Sequence, residues 1–299
     1  MVDNKTICRF YAQAVIAENM AEFLTYASAF SRRPSAESLH RARVSLRRIN
    51  NLLTIFHDVL APHDLKAWRK PIAFAGKALG KSRDLDVWIH LLKSSFPKIL
   101  SSHKAAGKAM IVSLEKKRQR EQAYAQSILA RLAQSKIIKK AMIALGPKPH
   151  YPHNDKSLWN MGKQKVGKRL KRFLALSACV SHPQKGKQLH RMRIKGKKLR
   201  YTLESFERVF GARTKYFYNT VYAMQTALGE LHDAETLVVF LQDMKKKKAS
   251  KEARATLDYL SDFFTAIRLV SYKNFLKLWK ESNKKKFWNK LRSFIKGSL

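Results

Sequence analysis

Apolar residues recur at spacings of three and four along almost the whole 299-residue chain, the period of helices that bury one face. These stretches run from about Ile7 to Phe30, then over 37–60, 71–92 and 104–145. After a break the pattern resumes over 158–180, 186–210, 214–244, 252–280 and 284–296. Seven of the eight prolines, at 34, 62, 97, 147, 149, 152 and 183, fall between stretches, where a missing amide hydrogen does least harm. Pro71 is the exception and is expected at the start of a helix after a short turn. No alternating run bounded by a hairpin turn indicates a strand. The pattern predicts an all-α protein. Gly146–Asn154 reads GPKPHYPHN, with three prolines and no apolar period, and is expected to be a linker. It divides the chain into a first bundle over 1–146, a linker over 147–156 and a second bundle over 157–299. About four helices on each side, joined by short connections, make two tandem antiparallel four-helix bundles.

The two halves are related. Residues 39–60 read LHRARVSLRRINNLLTIFHDVL, and residues 189–210, at an offset of 150, read LHRMRIKGKKLRYTLESFERVF. A second pair follows, ALGKSRDLD at 78–86 and ALGELHDAE at 227–235. Two copies of one bundle can pack about a pseudo-twofold axis, so that matching helices face each other across a cleft.

On a helical wheel advancing about 100° per residue, His40, Arg43 and Arg47 share one face. Ala42, Leu46, Ile49, Leu53, Phe56 and Leu60 lie opposite, and Arg41 and Arg48 share a flank. The second copy repeats this with His190, Arg193, Lys197 and Arg200 opposite Met192, Leu199, Leu203 and Phe206, and with Arg191 and Lys198 on the flank. Glu204 falls in the basic arc, one turn from Arg200, and is expected to pair with it.

Charge gives these faces a meaning. The chain carries 61 Lys and Arg against 21 Asp and Glu, a net +40. Both halves are basic, +17 before residue 150 and +23 after it. Such a chain repels itself when compact, and a polyanion relieves the repulsion. Nucleic acid, an anionic membrane surface and polyphosphate all qualify. Cations spaced one turn apart form a ladder, which suits a linear polyanion better than a single phosphate. Arg supplies a planar fork of donors and Lys a mobile point charge. In the second repeated segment Lys81 and Arg83 are candidate ligands, while Asp84, Asp86 and Asp233 are candidate supports that hold the cations in place. The glycine of each Ala-Leu-Gly is expected to let a neighbouring helix approach. Further basic runs occur at 162–172 (GKQKVGKRLKR, six cations), 245–248 and 284–286. Two cysteines, Cys8 and Cys179, form neither a disulfide framework nor a metal-ligand spacing. No apolar run is long enough to span a membrane, and the N-terminus lacks the build of a signal peptide. The cytoplasm is the expected compartment.

The paired motifs resemble the CHAD family, the conserved histidine α-helical domain. The resemblance rests on His40, Arg43, Arg47 and Arg48 followed by Leu79-Gly80 through Arg83-Asp84 and Asp86. It is repeated more weakly by His190, Arg193, Lys197, Lys198, Leu199, Arg200 and Tyr201 followed by Leu228-Gly229 and Asp233. It implies paired four-helix bundles with a basic groove that binds inorganic polyphosphate, association with polyphosphate granules in several members, and no catalysis by the domain itself. No cofactor and no metal are implied. One departure is Ile49-Asn50, where the family commonly has Arg after the basic pair and an apolar residue. The second half, which keeps Leu199-Arg200, is therefore expected to grip the ligand more tightly.

Two other readings compete. Charge and nearby aromatics (Tyr201, Tyr216, Trp279, Trp288) fit nucleic acid, although no recognition module is visible. His190, His232-Asp233 and Asp258 or Asp262 imitate the ligand set of an all-helical metal phosphohydrolase. That set breaks the repeat, because the counterpart of His232 is Arg83.

Overall fold

The computed structural model describes residues 3–146, 155–246 and 251–297; the linker residues 147–154 and two of the lysines, 247 and 248, lie outside them. Every regular element among the described residues is helical. The first half comprises α1 (Asn4–Arg32), α2 (Ala36–Ile55), α3 (Pro62–Ala78), α4 (Gly80–Ser95), α5 (Ser101–Gln134) and α6 (Lys136–Leu145). The second comprises α7 (Lys156–Leu174), α8 (Gly186–Ser205), the short α9 (Glu207–Phe210), α10 (Thr214–Lys245), α11 (Lys251–Lys284) and α12 (Phe287–Lys296). None of these helices is long and apolar enough to cross a membrane.

Local chemistry sets the helix ends. Asp3 caps α1 by accepting from the Lys5 and Thr6 amides at 2.8 and 2.9 Å. Ser35 and Ser38 form a reciprocal capping box at the start of α2, and Asp155 caps α7; such caps satisfy amides the helix leaves without partners. The 104–145 stretch is two helices, because Ser135 ends α5 and caps α6. Pro71 corrects the sequence reading. It lies inside α3, and Pro62 occupies the first turn instead. The carbonyl one turn before Pro71 belongs to Ala67, which is exposed, so water can take the hydrogen bond the ring removes.

The wheel's apolar faces are buried as expected: Ala42, Leu46, Ile49, Leu53 and Phe56 on one copy, Met192, Leu199, Leu203 and Phe206 on the other. The apolar clusters do not divide at the linker. One draws on α1, α2 and α3 together with α7, α8 and α12. The other joins α4 and the start of α5 to the end of α10 and the start of α11. Across the seam like meets like: α1 packs on α7, α2 on α8, α4 on α10 and α5 on α11. Phe56 and Phe206, equivalent residues of the two copies, touch with ring centroids 5.6 Å apart.

Near this seam one glycine is a steric requirement. A Cβ on Gly162 would lie 2.6 Å from Phe210 Cζ and 3.0 Å from Phe206 Cδ1. Gly167, on the same helix, would meet Ile295 at an ordinary 3.7 Å. Gly162→Ala is expected to cost about 1–3 kcal/mol by overpacking. Gly167→Ala should gain up to about 1 kcal/mol from helix propensity. Equilibrium denaturation of the two variants checks the contrast, and equal stabilities would contradict it.

Candidate anion-binding groove

Where α2 crosses α8, cations of the two copies face each other. Arg43 and Arg47 descend one face of α2, and Arg193 and Lys197 one face of α8. All four are half-buried. Their charges act across the crossing: Arg193 on Arg43, and Arg47 and Arg43 on Lys197. Burial, reinforced by these like charges, pushes Lys197 down to about 6 and Arg43 to about 10. Burial also depresses Arg193, against the pull of Asp233. The Nε–H groups of Arg43, Arg47 and Arg193 are buried and meet no acceptor among the described residues. Donors in that state favour an added anion.

The second repeated segments supply the floor. Asp233 on α10 reaches Arg193 at 3.6 Å. Asp84 on α4 attracts Arg43, Arg193 and Lys197. Arg83 acts on both Arg43 and Asp233, so it belongs to the same cluster. A Cβ on Gly80 would stand 3.9 Å from Arg43 Nη2, and one on Gly229 3.9 Å from Arg193 Nε. The two copies therefore lay the same arginine over the same glycine. Since 3.9 Å is ordinary contact, alanine would fit at both positions, and close helix approach does not explain these glycines.

The histidines head the groove. His190 Nδ1 and His232 Nδ1 lie 3.1 Å apart, so one ring carries the shared proton and the other accepts it. Burial and the surrounding cations depress both, His232 to about 3. His40, pushed down to about 4 by burial and then by Arg83, stands to Arg83 as His190 stands to His232. The metal-like set does not converge: the Asp233 carboxylate faces Arg193, and Asp258 binds Lys245 at 2.6 Å.

Several sequence candidates lie elsewhere. Arg41 is exposed and paired with Glu37 at 2.6 Å; Lys81 and Arg191 are exposed. Arg48 turns to the seam, where it bridges Glu22 at 3.1 Å and Glu204 of the other half. Glu204 thus pairs with Arg48 rather than Arg200. These groups border a cavity of about 350 Å³ between α1 and the end of α8. Arg200 is 9% exposed and sits over Tyr201, Tyr222 and Tyr218, 4.6, 5.0 and 5.9 Å from the ring centroids, a cation–π enclosure. Asp86 is buried near Arg118 of α5, 3.9 Å away, and ties α4 to α5. Lys198 lies in a different group of cations, with Arg169 and Arg172 of α7. The tyrosines that take Arg200 were visible only as an i, i+4 pair, Tyr218 and Tyr222, with nothing to say which cation they face.

A family model described as the CHAD domain matches residues 14–242. The fold is similar to the crystal structure of the CHAD domain from the plant Ricinus communis, with a TM-score of 0.70 and 20% identity, covering 90% of this chain and 91% of that one. It is also similar to PptA from Streptomyces chartreusis, with a TM-score of 0.65 and 16% identity, covering 90% and 98%. No curated protein matches the chain.

Proposed function

This chain belongs to the CHAD domain family, and from that premise we propose that it binds inorganic polyphosphate along the α2–α8 crossing without turning it over. The observation that carries the reading is the confrontation of Arg43 and Arg47 with Arg193 and Lys197, offset by Asp84 and Asp233. Polyphosphate is the ligand the family resemblance implies, and its chemistry suits the groove: closely spaced charges, acceptor oxygens on every unit and no bases to accommodate. The same reading places the protein at polyphosphate granules.

Nucleic acid is the weaker reading because the aromatics near the basic residues are occupied. Tyr201, Trp279 and Trp288 are 4%, 7% and 7% exposed. Tyr216 is exposed but packs edge-on against Phe217. Salt dependence does not separate the two polyanions, since both release counterions. Competition at fixed salt does. Protein held on immobilised long-chain polyphosphate should resist elution by duplex DNA at equal phosphate concentration and yield to free polyphosphate. Elution by DNA at the lower concentration would transfer the function to nucleic acid. Phosphate release on addition of magnesium or manganese would overturn the absence of turnover.

A further inference from the structure

We infer that the protein has a second phosphate-binding site, separate from the groove, on the flank of the packed helices α7 and α8. Its centre is Arg169, which is 8% exposed and has neither a hydrogen bond nor an ion pair with any described carboxylate. Arg172 lies one turn further along α7. Lys195 and Lys198 lie one turn apart on α8, and Arg69 approaches from α3. None of the five has a carboxylate partner among the described residues. The helices are close at this level, since a Cβ on Gly196 would stand 3.3 Å from Phe173.

The repeat shows that this surplus is specific to one half. At the offset of 150 that relates α2 to α8, Lys198 corresponds to Arg48, and Thr54 stands where Glu204 gives Arg48 a carboxylate from the other half. Glu22 of α1 adds a second at 3.1 Å. On α7, which packs on α8 as α1 packs on α2, Lys198 meets the charges of Arg169 and Arg172 instead. The first half therefore neutralises its flank cation twice over. The second half sets cations and a neutral hydroxyl around the equivalent residue. Arg169 is 8% exposed as a residue and its guanidinium meets no carboxylate among the described residues, so an anion held between α7 and α8 supplies the missing counter-charge. Burial depresses both Arg169 and Lys198, with the neighbouring cations adding to the effect. Arg169, Arg172, Lys195 and Arg69, drawn from three helices, all act on Lys198, a cluster about one residue instead of a ladder along one helix. The ligand is therefore a compact phosphate anion, either a free pyrophosphate-like species or one segment of a longer chain.

The test uses the full-length protein with Arg43→Gln and Arg193→Gln, which disables the groove, and isothermal titration with pyrophosphate or long-chain polyphosphate. Pyrophosphate should still bind at about one equivalent. Adding Arg169→Met and Lys198→Met should weaken that binding at least tenfold and raise the melting temperature of the free protein. Should that variant fold poorly, Arg172→Gln with Lys195→Gln, both away from the core, should reproduce the weakening. Retention of the long chain alone, lost with the same substitutions, identifies the site as a second station for the chain. No binding of either ligand to the groove variant, or binding insensitive to both pairs of substitutions, overturns the site. Either result leaves the groove reading intact, because that reading is decided by the protein with an unaltered groove.

Discussion

Replacing Arg47 and Lys197 together by glutamine should weaken binding of long-chain polyphosphate by roughly 10²–10⁴-fold at fixed salt. Hydrogen bonds to charged groups contribute about 1.5–3 kcal/mol each, and about 1.4 kcal/mol is a factor of ten. The slope of log affinity against log salt should become shallower by roughly 1.4–2, since each of the two lost phosphate contacts removes about 0.7–1. The free protein should respond in the opposite sense. The charge of Arg47 opposes protonation of Lys197 across the crossing and helps hold it near 6, and Arg47 holds a buried Nε–H without an acceptor among the described residues. Their replacement removes like charge from a half-buried cluster and should raise the melting temperature. Arg41→Gln with Lys81→Gln, both exposed, controls for net charge and should change affinity no more than about twofold, as screened surface charges do. If that control loses as much as the groove variant, binding is a property of overall charge and the groove is not its seat. The structure also changes the expected ranking of the two halves. Arg200 was to strengthen the second ladder, but it is enclosed by tyrosines, so Arg43 with Arg47 and Arg193 with Lys197 should contribute alike.

The fold was legible because its signals are periodic. A helix of three-and-four spacing announces its buried face, and Ala42 through Phe56 and Met192 through Phe206 are buried as that spacing requires. The duplication was legible because equivalent positions kept their chemistry. What the wheel could not resolve was which neighbour each polar residue meets. Arg47 and Arg48 are adjacent, basic and equally plausible as ligands on one helix. One faces α8's cations and the other is held by Glu22 and Glu204, a difference set by packing of α1 and α8 on either side of α2. Arg200 illustrates the same limit, since its enclosure comes from α10. Pro71 was misplaced because proline is most often a terminal residue, and α3 accommodates it where the affected carbonyl is exposed. Lys198 read as a flank cation of the ligand-binding helix, and Arg169 as one of six cations in the run 162–172. Only the packing of α7 on α8 brings them together and away from acids.

Binding of long-chain polyphosphate should draw protons from solution, and its affinity should fall by up to about tenfold for each pH unit above 6 until Lys197 in the complex begins to lose its proton. Lys197 is pushed down to about 6 in the free protein. A bound polyanion favours its charged form and raises it, so between those two values each binding event takes up close to one proton at this side chain. The other groups facing the groove act in the same direction. His40, His190 and His232 are depressed and are raised by added negative charge. Asp84 and Asp233, already lifted by desolvation, are lifted further. Interior phosphates of a long chain keep one charge each over this range, so the ligand contributes little. Titration calorimetry at pH 7.5 in buffers of different ionisation enthalpy should report net proton uptake, and Lys197→Met should remove most of it. Zero uptake, or proton release, would place Lys197 outside the binding surface. Stability of the free protein carries the matching sign. Because Lys197 binds its proton more weakly folded than unfolded, its contribution favours the folded state increasingly as pH rises from about 6 towards the ordinary lysine value of 10.5. The histidines add the same trend below 6.5, while Asp84 and Asp233 oppose it from 3.8 upwards. Between pH 7 and 10 the depressed Lys198 adds to the rise and the buried Cys8 and Cys179, raised from 9.0, oppose it, so the contribution of Lys197 is read as a difference from Lys197→Met. There the melting temperature of the free protein should rise with pH relative to Lys197→Met, and saturating polyphosphate should flatten that rise, because the bound lysine keeps the proton that the free one gives up.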